Sequence, residues 1–167
     1  MLLEMIQSYF GVGKINKSRA DAIRYRVGST KELIVIINHF DKFPLITQKR
    51  ADFELFKQVV EIINRQEHLT LDGFKKIVSL KASMNNGLSE RQKAAFPNTK
   101  PVPRLIVGVD QEIKDPAPHT SCGVTDHHLA GADPHWLAGF VSGEGCFFIN
   151  IAKSSSLGKA EGSRVQL

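Results

Sequence analysis

The amino-acid sequence predicts an α+β fold in which helices pack against short antiparallel strands. Two short segments, 14–17 and 22–27, have the composition and spacing of a β-hairpin. Apolar residues then recur at helical spacing through 33–40 and 50–66. The buried stripe predicted for the second of these helices is Phe53, Phe56, Val59, Val60 and Ile63. The chain has 167 residues, of which 42% are hydrophobic, and this is enough to bury a core without disulfides.

The second strand of the predicted hairpin has one apolar and one basic face. Ile23, Tyr25 and Val27 alternate with Arg24 and Arg26. Because successive side chains of a strand point to opposite faces, one face is expected to pack on a core and the other to present guanidinium groups.

The segment before this hairpin predicts an amphipathic helix that two glycines end. Its apolar residues at helical spacing are Leu2, Leu3, Ile6, Tyr9 and Phe10. Further helix starts are indicated by a capping-box pattern at Ser29 and Glu32 and by a capping residue at Thr70. A short helix is expected from Glu90 to Phe96.

The charge is unevenly distributed along the chain. The net charge is +5, and residues 1–104 hold 18 basic and 10 acidic side chains, against 4 and 7 in residues 105–167. An excess of positive charge in the first part favours an anionic partner. The two cysteines, Cys122 and Cys146, are too few for a disulfide framework, and no apolar run is long enough to span a membrane.

Proline marks a change in character after residue 97. Most of the prolines lie in the segment up to Pro134, where Ser, Thr, Gly and His are also frequent, so this segment is predicted to be a linker. A helix is expected from about Pro134 and a strand over 146–152. The chain therefore divides into 1–97, a linker at 98–133, and 134–167.

The predicted helix after the linker carries small residues on one side. Gly139 and Gly143 are four residues apart, with Ala138 and Ser142 beside them, so a second helix could approach closely. Glu144 follows at the helix end, where a partner helix would bring its own carboxylate. Two carboxylates held together repel each other, and a divalent cation relieves that repulsion.

This stretch, Leu137–Gly145, resembles the LAGLIDADG motif of homing endonucleases. Trp136 before it and the Gly-Cys-Phe-Phe run that begins at Gly145 are similar to the single-chain, fungal mitochondrial, intron-encoded branch of that family. Residues 3–15, 31–41 and 43–49 are similar to the helix, strand and loop segments of a family repeat.

The resemblance implies a fold of αββαββα repeats with an antiparallel DNA-binding sheet. By that comparison residues 1–97 are the C-terminal part of a first repeat, and residues 134–167 are the N-terminal part of a second. The copy is incomplete or rearranged, because the motif helix of the first repeat is missing and only one motif carboxylate is present.

The resemblance also implies a function, namely site-specific double-strand DNA cleavage in intron homing. Glu144 is then the catalytic carboxylate that binds the divalent ion, Mg²⁺. Lys49, in a loop near the active site, is then the second catalytic residue and acts on the transition state or its water network. The expected DNA contacts are Lys14, Lys17, Arg19, Arg24, Arg26, Phe148, Asn150 and Lys153. Motif-helix packing is expected at Ala138, Gly139, Ser142 and Gly143, and the protein is expected to be mitochondrial and encoded in the organelle.

Other interpretations remain open at this stage. The chain could be a non-catalytic nucleic-acid-binding relic or an RNA maturase that binds intron RNA and assists splicing. It could also be a fragment that does not fold alone, because the first repeat lacks two strands and its motif helix. Self-association through the motif helix would supply a second copy of that helix.

Overall fold

The computed structural model describes residues 2–19, 22–106, 133–153 and 163–167. Its helices are α1 (Leu2–Phe10), α2 (Thr30–Lys42), α3 (Gln48–Asn64), α4 (Leu71–Ser83), α5 (Glu90–Ala95) and α6 (Pro134–Glu144), with a 3-10 turn at Glu67–Leu69. Its strands are β1 (Lys14–Arg19), β2 (Ala22–Arg26), β3 (Asn150–Lys153) and β4 (Ser163–Gln166). β1 pairs with β2 and β3 pairs with β4, both antiparallel. None of the helices in these ranges is long and apolar enough to cross a bilayer.

Helix α1 packs on the core and turns sharply into the first hairpin. Ile6 and Phe10, four residues apart on one face, are its buried residues. Gly11 and Gly13 have φ values of 67° and 82°, which glycine adopts at little cost. A Cβ atom at Gly13 would lie only 2.7 Å from the ring of Tyr25, so the hairpin can approach this closely only because residue 13 has no side chain.

The core is built mainly from the apolar faces of α2, α3 and α4. The stripe predicted for α3 is buried except for its last member, which is half-buried: Phe53, Phe56, Val59, Val60 and Ile63. Helix α3 begins at Gln48, two residues earlier than predicted. The reason is an N-cap at Thr47, whose hydroxyl accepts a hydrogen bond from the backbone N–H of Lys49.

The capping box predicted at Ser29 and Glu32 is wrong. Ser29 is the N-cap residue of α2, but its exposed side chain makes no capping hydrogen bond, so water can satisfy the free amides there. A complete capping box occurs instead at Ser89 and Gln92, at the start of α5. Thr70 caps α4 as predicted and accepts a bond from the third helical N–H.

The strand predicted over 146–152 forms a ladder only from Asn150 onward. Within the described residues, β4 pairs only with residues 150–153. The preceding stretch is held differently, because Phe147 and Ile149 are buried in the core and the Phe147 carbonyl accepts a hydrogen bond from the side chain of Asn85.

Helix α6 and the stretch that follows it share the core of the first hundred residues. The ring of Phe147 lies 5.3 Å from Phe53, 5.5 Å from Phe56 and 6.3 Å from Phe40, between ring centroids. Leu137 and Ile149 belong to the same hydrophobic cluster. The sequence predicts that the first repeat lacks its motif helix and two strands. In the structure, residues that follow the predicted linker cover the core of that repeat.

Part of the predicted linker also packs on the helices. The Ser83 hydroxyl donates to the carbonyl of Val102 at 2.7 Å, and Arg104 forms a 3.0 Å ion pair with the buried carboxylate of Asp52. The rest of the linker, residues 107–132, lies outside the described residues. The division into two partial repeats, 1–97 and 134–167, with a linker at 98–133 stays a prediction. In the structure, described residues of both partial repeats belong to one hydrophobic core.

Candidate functional site

Helix α6 begins where the sequence predicts and turns one side to the core. The Asp133 carboxylate caps it by accepting a hydrogen bond from the backbone N–H of Trp136 at 2.9 Å. Leu137 is completely buried. Trp136 and Phe140 stack with 5.4 Å between centroids and an interplanar angle of 11°, and Trp136 is exposed.

The small residues of α6 divide between two faces. A Cβ atom at Gly139 or Gly143 would meet nothing within 4 Å, and both glycines are exposed. Ala138 and Ser142 are buried against this chain's own core. The face open to a second helix is therefore narrower than the sequence predicts, because each residue turns the helix by about 100° and so points 138 and 142 inward.

Ser142 connects the end of α6 to the start of α3. Its carbonyl accepts a hydrogen bond from the Thr47 hydroxyl at 3.1 Å, and its own hydroxyl accepts one from the backbone N–H of Ile46 at 3.3 Å. The Thr47 hydroxyl also caps the N–H of Lys49. The structure thus joins the helix ends that carry Lys49 and Glu144, the two residues predicted to be catalytic.

Glu144 is the last residue of α6, and its side chain is exposed. The C-terminal end of a helix carries unsatisfied carbonyl groups and partial negative charge, so a carboxylate here creates a position that favours a cation. In the part of the chain that the structure describes, no group of three His, Cys, Asp or Glu residues could hold a metal ion. Glu144 fits a divalent ion as one carboxylate ligand, and the other ligands must come from elsewhere.

The basic hairpin presents its cations on two faces. In the β1–β2 ladder Lys14 lies opposite Arg26, and Asn16 lies opposite Arg24, whereas Lys17 lies opposite Ile23. Opposed residues project from the same face and neighbours alternate. Lys14, Arg24 and Arg26 therefore share one face, and Lys17 is on the other. The structure describes only the backbone of Arg19.

One end of the basic face opens into a cleft of about 590 Å³. Lys14 and Arg26 line it together with the start of α2 and with Leu167, next to β4. Arg26 Nη2 donates to the Leu167 carbonyl at 3.0 Å, so this arginine joins the two hairpins. Glu32, in the first turn of α2, also lines the cleft, so two cations and one carboxylate face it.

In the stretch leading into β3, Phe148 points outward. Phe147 and Ile149 on either side of it are buried, while Phe148 is 53% exposed and Asn150 is partly exposed. The structure describes only the backbone of Lys153. The ammonium of Lys81, on α4, lies 5.3 Å from the centre of the Phe148 ring.

Sequence reasoning missed three residues of this region: Thr47, Lys81 and Asn85. Burial lowers the pKa of Lys81, which is only 8% exposed. The sequence could have indicated this, because Lys81 follows Ile77 by four residues and so lies on the apolar face of α4. A threonine just before α3 was a signal for the cap at residue 47, but no pattern pointed to Asn85.

Comparisons with known proteins place these features in a family. The family model described as LAGLIDADG endonuclease matches residues 1–60. "Probable intron-encoded endonuclease 3" of Neurospora crassa is 38% identical over 168 residues, which cover 99% of this chain and 28% of that protein. "Probable intron-encoded DNA endonuclease aI1" of Mycosarcoma maydis is 34% identical over 88 residues, which cover 51% of this chain and 73% of that protein. The chain belongs to the LAGLIDADG endonuclease family.

Solved LAGLIDADG structures agree with the fold. The meganuclease I-AabMI bound to uncleaved DNA is 41% identical, with a TM-score of 0.64, over 98% of this chain and 50% of that one. I-SmaMI, bound to an uncleaved DNA target in the presence of calcium ions, gives the same values. The predicted α+β, LAGLIDADG-like fold is thus confirmed. The chain spans about half the length of those structures and under a third of the first curated relatives, as expected for an incomplete copy.

The relatives also confirm the expected origin. They come from fungal mitochondrial genomes: two of Neurospora crassa are named "Probable intron-encoded endonuclease", and one of Podospora anserina is named as a protein in ND4 intron 1. LAGLIDADG nucleases generally depend on divalent metal ions, and the solved relatives are bound to DNA targets.

Proposed function

We propose that this chain forms part of a site-specific DNA endonuclease in which Glu144 binds Mg²⁺ at the scissile phosphate. The observation that carries the proposal is the hydrogen bond between Thr47 and Ser142, which brings the helix end with Lys49 to the helix end with Glu144. A bound divalent ion supplies polarisation of the phosphate and an activated water. Lys49 then contributes positive charge where negative charge develops during the reaction.

The open face of α6 supports a second motif helix as the source of the missing ligand. Gly139 and Gly143 leave room for a helix backbone to approach closely, and Glu144 lies at the end of that face. A second copy of the chain would bring an identical face and an identical carboxylate by two-fold symmetry. Two carboxylates and DNA phosphate oxygens form the oxygen-rich site that Mg²⁺ requires.

The hairpins support the DNA contacts of this proposal. Lys14, Arg24 and Arg26 are exposed on one face of β1–β2, where they would neutralise phosphates. Asn150, at the start of β3, and Phe148, just before it, would contact base edges, because a two-stranded ribbon fits the major groove. The DNA contacts expected at Arg19 and Lys153 stay predictions. Lys17 lies on the opposite face of the hairpin, so it would not contact DNA together with Lys14, Arg24 and Arg26.

The test is a DNA-cleavage assay in the presence of Mg²⁺. Its substrate is a pool of DNA duplexes that contains randomised sequences and fungal intron-insertion sequences. Sequencing of the products identifies the duplexes that are cut. Glu144→Gln keeps the size of the side chain but removes its charge. We expect it to abolish cleavage while DNA affinity without metal stays unchanged. Glu61→Gln, an exposed glutamate on α3, is the matched control and should cleave normally. Equal cleavage by the wild-type chain and Glu144→Gln would remove Glu144 from the mechanism.

A maturase or nucleic-acid-binding relic is the second candidate. It is favoured by the lone motif carboxylate, since no group of three His, Cys, Asp or Glu residues in the described part of the chain could hold a metal ion. The basic face of β1–β2 does not need Glu144 to bind RNA. Tight binding to intron RNA without metal, unchanged in Glu144→Gln and stronger than binding to DNA, would select this candidate over the endonuclease.

A further inference from the structure

The turn that follows α6 is anchored on both sides of Glu144. Before it, the Ser142 carbonyl accepts the hydrogen bond from Thr47. After it, the Phe147 carbonyl accepts a 2.9 Å hydrogen bond from the Asn85 side-chain amide. Between the anchors, Gly145 passes so close to α6 that an added Cβ would lie 2.5 Å from Val141. The path of the backbone through the turn is therefore closely confined.

Asn85 is itself held in an unusual backbone conformation. Its φ of 46° is in the left-handed region, which asparagine tolerates better than most residues. Its backbone N–H donates to the Asp52 carboxylate at 3.0 Å. Two hydrogen bonds, one from the backbone and one from the side chain, thus fix the direction of the Asn85 amide towards residue 147.

The carboxylate that holds Asn85 is rigid because it is buried and paired. Asp52 is 5% exposed, and Arg104 neutralises it at 3.0 Å. Arg104 also donates to the Gln48 carbonyl at 3.4 Å, at the start of α3. Both anchors are therefore connected to the start of α3, the helix that also carries Lys49. The anchor before Glu144 bonds to Thr47, and the anchor after it is connected through Asn85 to Asp52.

We propose that Asn85 is a positioning residue, which through the Phe147 carbonyl holds the turn and so fixes where the Glu144 carboxylate lies at the end of α6. The inference rests on the proposed function of Glu144. Core packing of Phe147 against Phe53 and Phe56 would keep the segment before β3 in place without Asn85. What the amide adds is a fixed orientation of the peptide group three residues after Glu144.

The test uses Asn85→Gly in the full chain, with Asn86→Gly as the matched control. Glycine adopts the positive φ freely and keeps the backbone N–H that bonds to Asp52, so this variant deletes only the side-chain amide. Amide hydrogen exchange in peptides that cover 143–149 should speed up about fivefold in Asn85→Gly, the loss of one hydrogen bond, and stay unchanged in Asn86→Gly. Unchanged exchange at 143–149 in both variants would overturn the proposal, whatever the cleavage result.

Cleavage gives the second measurement. At saturating DNA the single-turnover rate should fall about ten- to a hundredfold in Asn85→Gly, with DNA affinity unchanged, because misplacement of a catalytic group slows chemistry more than binding. An unchanged rate would also overturn the positioning role. If the wild-type chain binds DNA but does not cleave it, the proposed function fails, and hydrogen exchange alone then decides the role of Asn85.

Discussion

The hydroxyl of Thr47 donates to the carbonyl of Ser142 across 3.1 Å and joins two helix ends that are 95 residues apart in the sequence. The same hydroxyl accepts the N–H of Lys49 as the N-cap of α3. One side chain therefore both starts a helix and docks the motif helix against it. This double use makes Thr47 a sensitive probe of how α6 is attached.

We expect Thr47→Val to lower the free energy of unfolding by about 1–2 kcal/mol, because it removes the cap and the bond to Ser142 while keeping the shape of the side chain. Thr47→Ser, which keeps the hydroxyl, should lose much less. Urea unfolding followed by circular dichroism measures both. A loss in Thr47→Val no larger than that in Thr47→Ser would contradict the role given to the hydroxyl.

Two glycines, one in the motif helix and one in its turn, should respond in opposite ways to an added side chain. Gly139→Ala is expected to raise stability by about 0.5–1 kcal/mol, since alanine favours helix and the Cβ meets open space. Gly145→Ala should lower stability by about 1–3 kcal/mol, because its Cβ would contact Val141. Thermal unfolding of the dilute protein gives both values, and a loss in Gly139→Ala would mean that the helix face is not open.

A large residue at position 143 should separate folding from association. A Cβ atom at residue 143 meets nothing within 4 Å, so we expect Gly143→Leu to keep the stability of the monomer. It should block the close approach of a second helix, and we expect any self-association to be lost. Analytical ultracentrifugation of the wild-type chain and the variant over a range of concentrations measures this. A variant that associates as well as the wild-type chain would place the contact elsewhere.

The two faces of the β1–β2 hairpin predict different salt dependence of DNA binding. Lys14→Gln should reduce the slope of log K against log salt by about 1, the value for one lost phosphate contact. Lys17→Gln, on the opposite face, should leave the slope nearly unchanged. Fluorescence anisotropy with a labelled duplex at several salt concentrations gives the slopes. The reverse result would mean that the other face of the hairpin contacts DNA.

Stability should depend on pH through His39. Burial of the ring lowers its pKa below the ordinary value of 6.5, although a hydrogen bond to the backbone at Pro134 opposes the shift. Between the lowered value and 6.5 the unfolded chain binds more protons than the folded chain, so stability falls as pH drops below 6.5. In His39→Phe this part of the pH dependence should vanish. Urea unfolding of both proteins from about pH 8 to pH 5 tests it, and curves that stay parallel would contradict it.

Local patterns in the sequence were sufficient for most elements, because they depend on nearby residues. The alternation of Arg24 and Tyr25 predicts β2, and the spacing of Phe53, Phe56 and Val60 predicts α3. The cap at Ser29 failed for a physical reason. A hydroxyl next to helix amides can bond to water equally well, and composition does not show which occurs.

The site was less predictable because it is formed by contacts between distant residues. Glu144 and Lys49 could be named from the motif and the loop, but the bonds of Thr47 and Asn85 to the turn depend on tertiary packing. The inward orientation of Ser142 likewise depends on where α3 lies. A sequence pattern shows which residues share a helix face, but not which face another element covers.

Phe147 fills the space between Phe40, Phe53 and Phe56, and this has a consequence for the order of events in synthesis. The ribosome completes α2, α3 and α4 well before residues 134–153 emerge, so the contacts that Phe147 makes with these helices form only after that. The contacts that close the core span 62 residues from Asn85 to Phe147 and 95 from Thr47 to Ser142. Such long-range closure makes folding slow, because distant segments must meet before their contacts stabilise the core.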